Sequence, residues 1–149
     1  MTSAAIARAA SLSGPGCGVA LELRVPVGTP VSVTSTDGDL TAHDLQASGA
    51  VLLTSTSGDI EADGLVVDEL AAHSTSGDVD LEFSEEPYAI KATTDDGDVD
   101  VELPDGERTY QVVAESPDGD VSTSLTTDRA GEGLINLTSD SGDIHLEQR

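Results

Sequence analysis

The chain has very few cysteines, aromatic residues and long apolar runs, and each shortage excludes a class of protein. Cys17 is the single cysteine among 149 residues, which excludes an internal disulfide and a metal site built from several cysteines. Aromatic residues make up 2% of the chain, which disfavours a wide core between two packed sheets. The apolar run within residues 1–17 is too short, and too often interrupted by polar residues, for a secretion signal or a membrane span.

Basic residues are also scarce, and the charge is strongly negative. Six Lys and Arg residues stand against 29 Asp and Glu residues, so the net charge is -23 and the chain repels nucleic acid and anionic lipid surfaces. We therefore expect no nucleic-acid partner and no membrane span. An apolar fraction of 37% in regular alternation argues against disorder. The acidic residues are spread along the chain, and this pattern predicts a solvated acidic coat of the kind found in proteins from high-salt environments.

What the sequence does contain is a repeat that ends in Gly-Asp. The six pairs recur every 19–23 residues, and a fixed period of this length indicates stacked structural units. The pairs are Gly38-Asp39, Gly58-Asp59, Gly77-Asp78, Gly97-Asp98, Gly119-Asp120 and Gly142-Asp143.

The flanks of the six pairs agree with one another. The residues seven and five positions before each glycine, and two positions after it, are apolar, and a serine or threonine stands three positions before it. Four positions after the glycine the residue is aliphatic in five units, with Thr123 as the exception. This period of two on both sides of a turn predicts strands with one buried face.

Two all-β architectures fit such a unit. The first is a right-handed parallel β-solenoid of about six coils over residues 19–149, with residues 1–18 as a mobile or mis-started leader. The second is an antiparallel β-sandwich in which each Gly-Asp pair forms a hairpin turn. The solenoid is favoured because stacked coils explain why like residues repeat in columns, and because small aliphatic residues fill a narrow core.

The repeats "TSTSGDI", "STSGDV", "TTDDGDV" and "TSDSGDI", preceded by "LELRVPVGTPVSV", resemble the DUF4097 family of β-strand repeat proteins. The resemblance covers about residues 19–147. It implies a right-handed β-helix-like fold and an adhesin-like or envelope-associated role.

The aspartates of the repeat are the candidate site residues. If the coils stack in register these side chains form a ladder, and neighbouring carboxylates could bind calcium, a cation that prefers oxygen ligands. In the alternative, each carboxylate accepts a hydrogen bond within its own turn. We expect no other metal site and no other cofactor. The ladder comprises Asp39, Asp59, Asp78, Asp98, Asp120 and Asp143.

The sequence favours a non-enzymatic binding or structural module with a protein or a glycan as its partner. The connections 83–88 and 103–110, with Arg108 as a rare positive charge, are the candidate recognition surface. One alternative is a cytoplasmic interaction scaffold, and another is a carbohydrate-active β-helix enzyme that uses the aspartates of residues 95–98. We assign no catalytic residue. The location expected from this sequence is cytoplasmic, or envelope-associated if the N-terminus is incomplete.

Two further expectations follow from the register. Gly58 is expected at a positive φ, where a β-branched side chain fits badly, whereas Gly64 lies in a variable connection, so Gly64→Ala should matter less than Gly58→Val. The sixth repeat stands last in the chain, so its coil is expected to leave an uncovered edge, which either allows an end-to-end homodimer or is protected by charge alone.

Overall fold

The computed structural model describes residues 4–14, 17–26 and 30–149, with side chains from residue 30 onward. This part of the chain forms strands and turns, and no helix. The strands are β1 (Ala4–Gly14), β2 (Cys17–Pro26), β3 (Val31–Asp37), β4 (Leu40–His43), β5 (Gln46–Ser57), β6 (Ile60–Ser74), β7 (Val79–Phe83), β8 (Ala89–Thr94), β9 (Val99–Leu103), β10 (Tyr110–Glu115), β11 (Val121–Thr123), β12 (Gly133–Ser139) and β13 (Ile144–Gln148).

The strands from β3 to β13 stack as a parallel solenoid. Sheet A contains β4, the start of β6, β7, β9, β11 and β13, and sheet B contains β3, β5, the end of β6, β8, β10 and β12. Each coil has one strand in each sheet, joined by a Gly-Asp turn. The predicted β-solenoid of about six coils is confirmed. The antiparallel sandwich is wrong, because every one of these pairings is parallel.

The core is a set of apolar columns that run along the solenoid axis. One column in sheet A joins Ile60, Val79, Val99 and Ile144, which are at most 1% exposed. The pairing puts each residue directly against its equivalent in the next coil, about 4.8 Å away. Side chains at alternate positions point outward, so the period of two in the sequence separates the core from the surface.

The order of the coils along the axis differs from their order in the sequence. The sixth coil (β12 and β13) lies between the fourth coil (β8 and β9) and the fifth coil (β10 and β11). The expectation that the sixth coil forms the open end is therefore wrong. The fifth coil forms that end, and the last strands of the chain are inside the stack.

One aromatic side chain spans the inserted coil. Tyr110, at the start of the fifth coil, is 1% exposed and donates a hydrogen bond from its hydroxyl to the carbonyl oxygen of Pro87, 2.9 Å away. A Cβ added to Gly133 of the sixth coil would overlap the Tyr110 ring. Gly133 thus leaves the space through which Tyr110 reaches the segment before the fourth coil.

A hairpin lies at the other end of the stack. The strands β1 and β2 pair antiparallel, and β1 also pairs antiparallel with β4 from Arg8 opposite His43 to Ala10 opposite Thr41. β1 thereby covers the free edge of sheet A at the first coil (β3 and β4). Residues 1–3, 15 and 16 of the expected leader lie outside the described residues, and the leader stays a prediction.

The glycines of the turns correct one expectation. Positive φ angles occur at Gly38 (134°) and Gly64 (63°), and Gly58 is not in this region. Gly58 is instead required by close stacking, because a Cβ there would overlap the carbonyl oxygen of Gly38 in the preceding coil. Gly64 adopts the left-handed conformation that favours glycine, so alanine there is strained, and the smaller effect expected for Gly64→Ala stays a prediction.

Candidate binding surfaces

The six aspartates of the turns form a ladder that joins neighbouring coils. In each step the backbone N–H of one aspartate donates to Oδ1 of the aspartate in the adjacent coil, over 2.8–3.2 Å. The expectation that the carboxylate accepts within its own turn is therefore wrong. The order of the ladder is Asp39, Asp59, Asp78, Asp98, Asp143 and Asp120, which again puts the sixth coil before the fifth.

A buried hydroxyl column supports the same turns. Ser74 and Thr94, both 0% exposed, donate from their hydroxyls to the carbonyl oxygens of Gly58 and Gly77 in the preceding coils, at 3.1 and 2.9 Å. Ser139 and Ser116 repeat the contact at Gly97 and Gly142. A small hydroxyl recurs three residues before each glycine because it satisfies a carbonyl group at the corner of the coil.

Calcium binding by the ladder stays a prediction. From residue 30 onward, the structure brings together no group of three or more His, Cys, Asp or Glu side chains that could hold a metal ion. The aspartate Oδ1 atoms are engaged by backbone N–H groups of the next coil, as for Asp78 with Asp98. The ladder therefore acts as a structural connection between coils.

We expect the melting temperature to rise steeply with monovalent salt, because carboxylates about 4.8 Å apart repel by about 0.9 kcal/mol in water. The Debye length falls from about 10 Å at 0.1 M to about 3 Å at 1 M, which screens this repulsion. Asp78→Asn keeps an oxygen acceptor without the charge, so its melting temperature should depend less on KCl. Thermal melts of both proteins from 0.1 to 2 M KCl measure the difference, and saturable stabilisation by low millimolar calcium at fixed salt would instead support a calcium site.

The outer face of sheet A is acidic. Seven of its outward side chains are carboxylates on adjacent strands: Glu61, Asp63, Asp80, Glu82, Asp100, Glu102 and Glu147. Burial, and then the charges of Asp100 and Glu61, raise the pKa of Asp80. Arg149 forms ion pairs with Glu82 and Glu102 and offsets part of the charge.

We expect mild acidification to stabilise the fold through Asp80. Its pKa is raised in the folded state, so this group binds a proton more tightly there than in the unfolded chain. Its contribution is fully present below the unfolded pKa and is lost as the pH rises through the folded pKa. The melting temperature should therefore rise as the pH falls from 7 toward the ordinary aspartate range, and Asp80→Asn should reduce this slope. An unchanged slope in Asp80→Asn would show that other groups control the titration.

The outer face of sheet B has a different composition. Apart from the exposed Asp68 at the irregularity between β5 and β6, three of its outward residues are charged at neutral pH, namely Glu69, Lys91 and Glu115, and the others are mainly Thr, Ala, Leu, Val, Asn and Gln. Leu52, Val113 and Leu134 are 43%, 46% and 49% exposed on this face. The outward residues of this face include Ser32, Thr34, Ala50, Leu52, Thr54, Glu69, Ala71, His73, Ala89, Lys91, Thr93, Gln111, Val113, Glu115, Leu134, Asn136 and Thr138.

A shallow cavity lies on the outer face of sheet B, which we call the neutral face. Its volume is about 260 Å³, and its lining includes Ala50, Glu69, Lys91, Leu134 and Asn136. The lining combines apolar side chains with the polar groups of Glu69, Lys91 and Asn136. This combination is typical of a surface that binds a ligand or a partner. This face was not predicted from the sequence, although acidic residues are scarce at the outward positions before each Gly-Asp pair.

The two connections expected to form a recognition surface do come together. The guanidinium carbon of Arg108 lies 3.8 Å from the centre of the Tyr88 ring, and Arg108 Nη1 donates to the carbonyl oxygens of Glu86 and Pro87. The Arg108 N–H also donates to Glu86 Oε1, 2.7 Å away. These contacts hold one connection on the other, so the Arg108–Tyr88 pair is fixed at the side of the solenoid.

Fold and surface together define a parallel β-solenoid with one acidic and one neutral face and with no helix, in the described residues, that could cross a membrane. Such a molecule is of the structural or binding class. The family model of Toastrack DUF4097 matches residues 20–147, and the chain belongs to this family. No curated protein and no solved structure matches the chain.

Proposed function

We propose that this Toastrack protein is a non-enzymatic, adhesin-like binding module of the cell envelope, and that it binds a protein or a glycan on the outer face of sheet B. The observation that carries the proposal is the charge asymmetry of the two faces. A chain of net charge -23 keeps one broad sheet face poorer in acidic residues than the other. That face also exposes Leu52, Val113 and Leu134, which supply apolar contact area for a partner.

The chemistry of the neutral face suits a flat partner. Its threonine hydroxyls and the amides of Asn136 and Gln111 can exchange hydrogen bonds with a glycan or a peptide backbone. The aliphatic side chains between them supply contact area without a charge to desolvate. A flat sheet has no deep cleft for a substrate, and this favours binding over catalysis.

The carbohydrate-active alternative draws less support. Of the aspartates in residues 95–98, Asp98 is engaged by the backbone N–H of Asp143 at 2.8 Å. Its role in the ladder is therefore structural. Glycoside hydrolysis requires two carboxylates, one on each side of the sugar ring, and the role of Asp98 in the ladder does not provide this arrangement.

A matched pair of charge substitutions on the sixth coil tests the proposed face. Leu134→Glu adds a charge to sheet B, and His145→Glu adds one to sheet A of the same coil. We expect Leu134→Glu to lose binding to a glycan array or to isolated envelope fractions by at least about tenfold, because a carboxylate must then be desolvated. His145→Glu should bind like the wild type, and equal losses in both variants would contradict the proposed face.

Location separates this proposal from the cytoplasmic scaffold. Fractionation of cells that express the full-length gene product, followed by immunoblotting, should recover the protein with the envelope. Recovery in the soluble cytoplasmic fraction, with binding only to soluble proteins, would favour the scaffold.

A further inference from the structure

The end of the solenoid formed by the fifth coil has core residues that no further coil covers. Val112 and Ala114 lie in the same columns as Ile135 and Leu137 of the sixth coil, which are 0% exposed. In the fifth coil these two positions are only partly buried, and Val121 is 44% exposed. The interior of the solenoid therefore reaches solvent at this end.

The free edge of β10 also carries unpaired backbone groups. Along a strand, successive residues direct their N–H and C=O groups to opposite edges. Tyr110 pairs with Thr127 on the edge away from β12, and its carbonyl oxygen accepts from the Asp128 N–H at 2.9 Å. Val112 and Ala114 share this direction, so their N–H and C=O groups point to the open edge, where no described residue pairs with them.

The two corners of this end differ in charge, because one is wholly acidic and the other has Arg129 between Asp128 and Glu132. Glu115, Asp118 and Asp120 lie at the turn that follows β10. Arg129 lies beside the start of β10, next to Asp128, and forms no ion pair with any residue from 30 to 149. The fifth coil thus has an acidic corner at the end of its first strand and an arginine at the beginning.

We propose that a second copy of this chain binds the open end, fifth coil against fifth coil, about a two-fold axis perpendicular to the sheets. Such an axis reverses the strand direction, so the two β10 strands run antiparallel across the interface. The acidic corner of each copy then lies against Arg129 of the other. The contact covers Val112, Ala114 and Val121, and it gives the free edge groups of Val112 and Ala114 partners.

Two other arrangements are less favourable. A two-fold axis along the strands puts the acidic corners of both copies together. Head-to-tail stacking puts the acidic corner against the aspartates of the first coil, Asp37 and Asp39, and β1 already covers the first-coil edge of sheet A. Because the contact we propose is isologous, it closes as a dimer and does not grow into a filament.

Sedimentation velocity of the full chain tests this inference. We expect a monomer–dimer equilibrium that strengthens from 0.1 to 2 M KCl, because salt screens the net repulsion between two copies of charge -23. Arg129→Glu and Asp118→Arg, which are both in exposed segments, should each weaken the homodimer by at least about tenfold. Lys91→Glu makes the same charge change two strands away from β10, outside the contact, and should weaken dimerisation much less than Arg129→Glu does.

The decisive step is to mix the two variants. In a mixed dimer each contact between positions 118 and 129 again joins opposite charges. Mixing Arg129→Glu with Asp118→Arg should therefore restore dimerisation to near the wild-type level. A strict monomer up to millimolar concentration, mass that grows without limit, or a mixture as weak as the separate variants would each overturn the proposal. Thermal melts show whether each variant is folded. The result is independent of binding by the outer face of sheet B.

Discussion

Replacing Ile144 by alanine is expected to lower the free energy of unfolding by about 2–5 kcal/mol, as for an aliphatic residue in a closed core. Ile144 belongs to the last strand of the chain and is 1% exposed. The fourth and fifth coils cover it from both sides. The cavity left by the substitution therefore has no open side from which it can collapse or admit solvent.

The matched control is Val121→Ala in the fifth coil. Val121 pairs with Ile144 in the same column but is 44% exposed, so its loss should cost less than about 1 kcal/mol. Urea unfolding of the wild type and both variants in 2 M KCl measures the two differences. If the coils stacked in sequence order, Val121 would be the more costly position, and that result would contradict the insertion of the sixth coil.

Replacing Gly77 by alanine is expected to cost about 3 kcal/mol, which is the upper part of the usual range for overpacking. A Cβ at Gly77 would overlap the carbonyl oxygen of Gly58 and would lie 2.9 Å from Asp59 Oδ1. The backbones of adjacent coils are fixed by parallel hydrogen bonds on both sides of the turn. Relief of the overlap must therefore separate the coils and weaken the Asp59–Asp78 step of the ladder.

The control for Gly77 is Gly64→Ala, which acts by another mechanism. Gly64 has a φ of 63°, and an added Cβ would lie 2.8 Å from Oδ1 of Asp44, the free end of a side chain. The strain of a left-handed alanine is about 1–2 kcal/mol, and the Asp44 side chain can move away. Thermal and urea unfolding should thus rank Gly77→Ala as the more damaging change. The opposite ranking would show that the turns of adjacent coils are less tightly stacked than in this structure.

The columns and the register could be predicted from the sequence because they depend on local alternation. Each apolar position around the Gly-Asp pairs meets its equivalent in a neighbouring coil, as Val51 meets Val31 and Leu70. The hydroxyl that precedes the turn is buried for the same reason in every repeat but the fifth, where Ser116 lies at the open end. A single repeat unit determines these features, since every unit has the same geometry.

The order of the coils could not be predicted in the same way, because the fifth and sixth repeats carry nearly the same pattern. The residues of the apolar columns would pack equally well if the fifth coil came before the sixth or after it. The difference arises from side chains outside the columns, where Gly133 leaves space for Tyr110 to reach Pro87. One signal was present: Thr123 breaks the apolar pattern of its column, and this polar residue lies at the exposed end of the stack.

The direction of the aspartate contacts was also beyond local reasoning. Aspartate commonly accepts a hydrogen bond within its own turn, and the sequence offers that option in each repeat. In the structure the stacked coil presents its backbone N–H at a better position, as Asp98 does to Asp78 at 2.8 Å. A contact between residues 20 positions apart depends on the packing of whole coils.

The place of the sixth coil has a consequence for how the chain folds as it leaves the ribosome. The first four coils can stack one on another as they emerge, because each finds its neighbour already made. The fifth coil cannot, since its partner strands β12 and β13 are synthesised after it. Residues 110–132 must therefore remain undocked until β12 and β13 have been synthesised. A ribosome that stalls within this segment would therefore hold a four-coil solenoid whose fourth coil is uncovered. The fifth coil of such a product is not folded, so a protease could degrade it without first unfolding it.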